Sequence, residues 1–120
     1  MALKRGNLGF ANVIANGATS SVYTVGSAQT AYIKSILIHN LSVQDIQNVR
    51  IHVVPHSGGS AGTAGTETQV ARIGITTNDT FFFEPAYPIT LPSTGDSIQI
   101  TNEGTALSSI NVMVLGDKEV

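Results

Sequence analysis

Apolar and polar residues alternate along much of this chain, in short segments that Gly, Ser, Asn and Pro separate. In the segment 48–54, for example, Val49, Ile51 and Val53 fall on one face of an extended chain and Arg50 falls on the other. A repeat of two residues is the period of a β-strand, and no segment repeats with the period of an α-helix. The pattern therefore predicts a protein built from strands.

Eight segments have the composition and the period of strands, because they are rich in Val, Ile, Thr and aromatic residues and end at turn-forming residues. Asn16 and Gly17, for instance, are a pair typical of a tight turn between strands. Short strands at such regular spacing are typical of sandwiches and jelly rolls. We therefore predict an all-β fold, an antiparallel β-sandwich that is jelly-roll-like, with strands at residues 8–14, 21–25, 30–39, 48–54, 66–76, 80–84, 96–101 and 108–115.

One domain is expected, because 120 residues match the common size of a domain. We expect residues 1–15 to form an N-terminal arm or an edge strand, and residues 16–120 to form the single β-sandwich domain. The first residues lack the apolar region of a secretory signal, and no stretch reaches the roughly 18 apolar residues of a membrane span. Contact with a membrane is therefore not expected.

Charge is scarce in this chain, since Asp, Glu, Lys and Arg make up 12% of the residues and the formal net charge is −2. No stripe of Lys and Arg could follow a phosphate backbone, so nucleic acid is not an expected partner. The neighbours Lys4 and Arg5 could touch a polyanion, but a solvated arm is the better interpretation of two charges in the N-terminal segment. Low charge with a positive mean hydropathy indicates that part of the surface is buried against partners.

Residues with reactive side chains give little support for catalysis or metal binding. The absence of Cys excludes disulfides and thiolate ligands. His52 and His56 are four residues apart, but no third metal ligand is indicated. Asp79, Glu84 and Asp96 could pair as in glycoside hydrolases, yet Asp in turns commonly bonds to nearby backbone. We therefore predict no enzyme activity, no cofactor and no metal.

A loop of small residues covers positions 57–65 and contains only Gly, Ser, Ala and Thr. It has no Lys and lacks the pattern of a phosphate-binding loop. We expect a flexible hairpin connection, whose small residues would let the backbone lie close to a neighbouring subunit.

Three consecutive aromatic residues, Phe81, Phe82 and Phe83, lie in a predicted strand that a proline-rich crossing follows. In a strand, Phe81 and Phe83 share one face and Phe82 takes the other. One or two of the rings would fill the core. The remaining ring, together with Tyr87, is either covered by the chain's own loops or forms an exposed contact patch.

Several short motifs follow one another in a recognisable order along residues 20–117. They are Tyr23-Thr24-Val25, Ile33-Lys34-Ser35-Ile36 with Asn40, Val53-Val54-Pro55 with Gly58-Gly59-Ser60-Ala61-Gly62, Asn78-Asp79-Thr80, Leu91 with Gly95-Asp96-Ser97-Ile98, and Asn111-Val112 with Gly116. In this order and approximate spacing, they resemble a group of short all-β virion proteins of tailed bacteriophages.

The resemblance implies a non-enzymatic structural protein, a capsid decoration (cement) protein that binds and stabilises the assembled shell of the major capsid protein. It further implies a homotrimer on the capsid surface of a virion assembled in the host bacterial cytoplasm. The alternatives are a tail or neck accessory or receptor-binding protein and, in another class, a carbohydrate-binding or hydrolytic module, which the lack of Trp disfavours. The predicted partner-binding residues are Lys4, Arg5, Leu8, Phe10, Phe81, Phe82, Phe83 and Tyr87.

Overall fold

Two antiparallel sheets form the fold in a computed structural model. The structure describes residues 3–15, 17–41, 47–103 and 109–119, but not the side chains at positions 4, 5, 7 and 10–13. Within these ranges there is no α-helix, and hence no helix long and apolar enough to cross a membrane. The strands are β1 (Leu3–Ala15), β2 (Thr19–Thr24), β3 (Ala31–Asn40), β4 (Gln47–Val54), β5 (Gln69–Ile75), β6 (Thr80–Phe83), β7 (Ile89–Leu91), β8 (Ser97–Asn102) and β9 (Ser109–Glu119), with a 3₁₀ turn at Thr66–Thr68.

The order of the strands is that of a jelly roll. Sheet 1 has the order β1-β9-β3-β6, with β7 also paired to β3, and sheet 2 has the order β2-β8-β4-β5. The first strand thus pairs with the last, β2 with β8, β3 with β6 and β7, and β4 with β5. This is one long hairpin that has been wrapped into two layers, which confirms the predicted all-β sandwich of jelly-roll type.

The core lies between the two sheets and consists mostly of Ile and Val. Ile36 and Ile38 of β3 face Ile51 of β4 and Ile98 and Ile100 of β8, all fully buried. Burying each such side chain contributes about 1.5–3 kcal/mol relative to leaving it in water. The alternation predicted for residues 48–54 is confirmed in β4, because Val49 and Ile51 lie in this core while Arg50 points away from it.

The N-terminal segment forms an edge strand of sheet 1. It pairs with β9 from Leu3 opposite Glu119 to Ala15 opposite Ser109, and so begins five residues before the predicted strand 8–14. A Cβ on Gly9 would collide with the carbonyl oxygen of Val22. Since only Gly permits this approach, β1 of sheet 1 lies close against β2 of sheet 2 and closes that side of the sandwich.

Two details of the sequence prediction are corrected. The prolines around β7 hide a three-residue strand, Ile89–Leu91, which pairs with Ala31–Ile33 of β3. The predicted strand 66–76 is shorter, because Thr66–Thr68 form a 3₁₀ turn and β5 begins at Gln69. Because Pro has no amide hydrogen to donate to a neighbouring strand, a segment flanked by Pro88 and Pro92 does not look like a strand in the sequence.

Buried carboxamides lie near one end of the sandwich. The Nδ2 of Asn40 donates to the carbonyl of Ile75 at 2.9 Å, and the Nδ2 of Asn102 donates to the carbonyl of Ile14 at 3.0 Å. Gln47, at the start of β4, is also fully buried, but within the described residues neither its Nε2 nor its Oε1 has a hydrogen-bond partner. A buried polar group without a partner is costly, so Gln47 is a weak point of the core.

Candidate contact surface

The aromatic strand β6 divides its three rings between the core and the surface. Its register places Phe81 opposite Ile38, Phe82 opposite Leu37 and Phe83 opposite Ile36 of β3. Phe81 and Phe83 therefore point inward and pack against the core, whereas Phe82 points outward with 55% of its surface exposed. Of the three rings predicted to bind a partner, Phe82 is the one that the fold leaves accessible.

An apolar row crosses the outer face of sheet 1, and we call it the Phe82 row. Phe82 lies opposite Leu37, Leu37 opposite Met113 of β9, and Met113 opposite the backbone of Phe10 in β1. Leu37 and Met113 are half-buried. Cross-strand neighbours of this kind touch one another on the same face of a sheet. The row brings together residues that are far apart in the chain, and the sequence alone did not reveal it.

Tyr87 is the most exposed of the large apolar side chains in the described residues, at 85%. It lies between β6 and β7, in the crossing that Pro85 and Pro88 keep out of the ladder. Both strands pair with the same edge of β3, so the crossing is held at both ends and Tyr87 is presented at the edge of sheet 1.

The other predicted contact residues lie in β1. Leu8 is half-buried and packs against the core, so it supports the strand more than it offers a surface. The side chains of Lys4, Arg5 and Phe10 lie outside the described residues, although their backbones pair with Lys118, Asp117 and Met113. The segment 3–10 is thus part of sheet 1, and its removal would leave one edge of β9 unpaired over about half of its length, while the other edge stays paired with β3.

One ion pair and one hydrogen bond hold charged groups at the end of the outer face of sheet 1 that lies away from Phe82. The Nζ of Lys34 lies 2.8 Å from the carboxylate of Asp117, and the hydroxyl of Tyr32 donates to Glu119 at 3.2 Å. Lys34 sits where the register of β3 and β9 shifts, and Asp117 lies opposite Tyr32. The surroundings of the Phe82 row consequently carry little net charge.

The outer face of sheet 2 differs because the chain covers the part around His52 and Gln99 with its own loop. His52 of β4 and Gln99 of β8 point outward but are only 4% and 6% exposed. The Nε2 of Gln99 donates to the carbonyl of Gly62 at 2.9 Å, and His52 Nδ1 lies 3.1 Å from the hydroxyl of Thr68. Burial lowers the pKa of the His52 imidazole below its usual value, since the charged form loses hydration.

The loop at residues 57–65 joins the paired strands β4 and β5, which confirms the expected hairpin connection, but hydrogen bonds hold its backbone in place. Backbone hydrogen bonds in both directions join Ser57 and Ser60, and a Cβ on Gly62 would collide with the carbonyl oxygen of Pro55. The small residues let this loop lie against its own sheet, and a neighbouring subunit is not needed to explain them.

Two of the three candidate catalytic carboxylates, Asp96 and Asp79, have structural partners. Asp96 accepts hydrogen bonds from the amides of His56 and Ser93, at 2.9 and 3.0 Å, and thereby ties two loops together. Asp79 caps the amide of Thr80 near the opposite end of the sandwich, so the two carboxylates do not converge. Among the described residues, no group of His, Cys, Asp and Glu is placed to hold a metal ion.

One charged cluster lies on the polar face of sheet 2. Arg50 and Arg72 are cross-strand partners in β4 and β5, and the carboxylate of Glu103 binds both, at 2.7 and 2.9 Å. Hydrogen bonds from Arg50, and less strongly from Arg72, lower the pKa of Glu103. The carboxylate offsets one of the two positive charges and holds both guanidinium groups together, so the cluster is a structural ion network of sheet 2.

Comparison with known proteins gives a likeness of fold. No protein-family model matches the chain, and neither does any curated protein. A protein of the virus-like particle of extra small virus from the giant freshwater prawn Macrobrachium rosenbergii aligns with a TM-score of 0.51 at 10% identity, over 99% of this chain and 79% of that chain. At this identity the likeness concerns the fold alone, and it agrees with the jelly-roll pairing.

Other solved structures align over nearly the whole chain with lower scores. A protein of the cyanophage Pam1 capsid aligns with a TM-score of 0.42 at 14% identity, over 98% of this chain and 82% of that chain. A Bacillus endospore appendage protein aligns with a TM-score of 0.41 at 18% identity, over 98% of this chain and 88% of that chain.

Proposed function

We propose that this protein is a non-enzymatic structural subunit of a tailed-phage virion, a capsid decoration protein that binds the assembled shell of the major capsid protein. The Phe82 row is the observation that carries the proposal. It is an uncovered apolar strip on one sheet of a jelly roll whose other sheet is covered over its centre by its own loop. Uncovered apolar strips of this kind mark surfaces that bind other proteins.

The fold supports a role in a particle, because jelly rolls are a common architecture of viral capsid proteins. The extra small virus protein, which comes from a virus-like particle, has a similar fold over most of its length. A subunit that acts by packing needs a neutral surface and rigid sheets. Both are present here, in the internally paired charges of sheet 1 and the Ile-rich core.

The contact would be made by residues of two elements of sheet 1. Phe82 and Tyr87 would insert into the partner, since exposed aromatic side chains contribute strongly to protein interfaces. Phe81, Phe83 and Leu8 would act indirectly by fixing the strands, and Lys4, Arg5 and Phe10 would add contacts along β1. The proposed partners are the major capsid protein and further copies of this chain, arranged as a homotrimer on the capsid surface.

Binding to shells tests the proposal directly. The purified protein is mixed with shells assembled from the major capsid protein of the same phage, and bound protein is measured by co-sedimentation. We expect saturable binding that Tyr87→Ser and Phe82→Ser each weaken by about tenfold or more, as for central interface aromatics. Val70→Ser, which removes a similarly exposed apolar side chain from sheet 2, is the control. Failure of the unaltered protein to bind shells would overturn the proposal. Labelling of this protein on intact particles separates the alternative, because label confined to the tail would favour a tail accessory protein.

A second candidate is a subunit that forms a shell by itself. The likeness to the extra small virus protein favours it, because this chain covers 79% of that protein. Closed particles seen by electron microscopy after expression of this chain alone would support this candidate over decoration.

A further inference from the structure

We infer that the free edge of β5 accepts an extended segment of the major capsid protein as an additional strand of sheet 2. The inference rests on the proposed function, which supplies the shell as the partner, and it adds a contact outside the Phe82 row. Strand addition takes its affinity from main-chain hydrogen bonds and its specificity from alternate side chains. Sheet 2 has the order β2-β8-β4-β5, so β5 lies at one of its two edges.

The two sides of the sandwich are closed to different degrees. On one side, Gly9 of β1 lies against the carbonyl oxygen of Val22 in β2, so the two sheets meet there. On the other side, β5 and β6 follow each other through the turn 76–79 but belong to different sheets. The inward-pointing apolar side chains on this side are only partly buried, namely Ala71 and Ile73 of β5, Phe81 and Phe83 of β6 and Ile89 of β7. The core is therefore incompletely covered beside β5.

The outer edge of β5 is regular from Ala71 to Gly74. These residues pair with β4 without a shift of register, the bulge at Val70 lies before them, and no described strand pairs with their other edge. Edges are commonly blocked by Pro or by charge, but this stretch has no Pro, and its one charged side chain, Arg72, is bound to Glu103 at 2.9 Å. In an antiparallel pair, every second residue turns its amide and its carbonyl away from the neighbouring strand. Half of these residues thus offer main-chain donors and acceptors to a further strand.

The charge of the cluster around Arg72 determines what the added strand should carry. The guanidinium groups of Arg50 and Arg72 share the one carboxylate of Glu103, so the cluster keeps one positive charge, and the side chain of Arg72 is 52% exposed. The nearest charged residues along the chain, Glu67 and Asp79, lie outside β5, in the turns before and after it. The added strand should therefore have an acidic residue opposite Arg72 and apolar residues on its inward face, which would cover the core beside β5.

A second copy of this chain is a poor donor of such a strand. Pairing of β5 with β5 about a two-fold axis would bring two positively charged clusters together, and like charges in opposite positions destabilise a sheet. Every described strand already has its place in one of the two sheets. We therefore assign the strand to the major capsid protein.

A peptide titration of the full chain, without shells, tests whether the edge accepts a strand. The probe is a capped nine-residue peptide of alternating Thr and Val whose central Thr is replaced by Glu, and the amide NMR signals of the protein are followed. We expect saturable shifts centred on residues 71–74, and binding about fivefold weaker when the central residue of the probe is Lys. Absence of shifts at residues 71–74, or equal affinity for the two peptides, would overturn the inference.

Variants at position 72 separate the effect of charge from an effect on the fold. Arg72→Ser should remove the preference for the Glu peptide over the Lys peptide, whereas Arg72→Lys should retain it. Val70→Ser, at the bulge outside the regular stretch, should also retain it. The ratio of the two affinities is the readout, because general destabilisation would weaken both peptides alike. An unchanged ratio in Arg72→Ser would contradict the inference.

Hydrogen exchange on shells distinguishes this inference from the proposed function. Amides of residues 71–74 should exchange more slowly when the full chain is bound to shells of the major capsid protein, because a paired edge opens less often. A chain that binds shells without this protection would overturn the inference and leave the decoration role intact. A chain that binds the Glu peptide but no shell would overturn the decoration role and the capsid protein as the donor, and would leave β5 as a strand-binding edge.

Discussion

Arg50 and Arg72 lie directly opposite each other on β4 and β5, and their side chains are held together by the two carboxylate oxygens of Glu103. Like charges in this position destabilise a sheet. The bridging carboxylate turns a repulsive pair into an ion network, and it ties the end of β8 to both strands. This relationship leads to a test of how sheet 2 is stabilised.

Replacing Glu103 by Gln should lower the free energy of unfolding by about 1 kcal/mol, because the two arginines would then face each other without a counter-charge. Urea unfolding near neutral pH measures the change, with Glu67→Gln, an exposed carboxylate of the 3₁₀ turn, as the control. Folding lowers the pKa of Glu103 from its ordinary 4.5. The contribution of Glu103 to the free energy of unfolding is therefore complete above pH 4.5, and it is lost as the pH falls through the lower pKa of the folded state. A loss no greater than that of the control would show that the network is not stabilising.

Stability should also depend on His52. Burial lowers the pKa of His52 from its ordinary 6.5, so the unfolded chain takes up a proton more readily than the folded one. The neutral ring faces the hydroxyls of Thr68 and Thr101, and Arg50 further disfavours its charged form. The free energy of unfolding should therefore be highest above about pH 6.5 and fall as the pH drops through the folded pKa.

The variant His52→Gln isolates this effect, since Gln cannot be protonated in that range. Urea unfolding at several pH values between neutral and mildly acidic conditions should show a shallower pH dependence than in the unaltered protein. Val70→Gln, a change to Gln at an exposed apolar position of sheet 2, should retain the original slope. An unchanged slope in His52→Gln would mean that another group causes the dependence.

Gln47 should be replaceable with a gain in stability. Its side chain is fully buried, and neither polar atom has a hydrogen-bond partner within the described residues. Gln47→Met keeps the side-chain volume and removes the polar atoms, whose loss of hydration no hydrogen bond offsets. We expect the free energy of unfolding to rise by about 1–2 kcal/mol. The matched change Asn40→Leu should lower it, because Asn40 donates to the carbonyls of Ile75 and Thr76. If Gln47→Met were as destabilising as Asn40→Leu, an unseen partner such as a buried water would have to bind Gln47.

The sequence predicted the layers of this fold better than its surface. The alternation in β4 correctly assigned Val49 and Ile51 to the core, because a period of two is a local property of the chain. The Phe82 row could not be predicted in this way. It depends on the register between β6, β3 and β9, which aligns Phe82 with Leu37 and Met113 across long separations in sequence.

Local propensity also failed where tertiary contacts decided the outcome. The segment 3–7 has two charged residues and a Gly, yet it forms strand because β9 offers a complete edge to pair with. The small-residue loop carries no pattern that predicts its position over His52, since the bond from Gln99 to Gly62 involves a distant strand. These features follow from the wrapped hairpin as a whole.

The pairing of the first strand with the last has a consequence for the order of events during synthesis. The middle of sheet 1 is β9, which lies between β1 and β3 and is made near the end of the described chain. Until the ribosome has released it, β1 and β3 have no common neighbour, and Met113 is absent from the centre of the row. A partial chain therefore cannot present the complete Phe82 row, and this contact surface forms only once β9 has joined sheet 1.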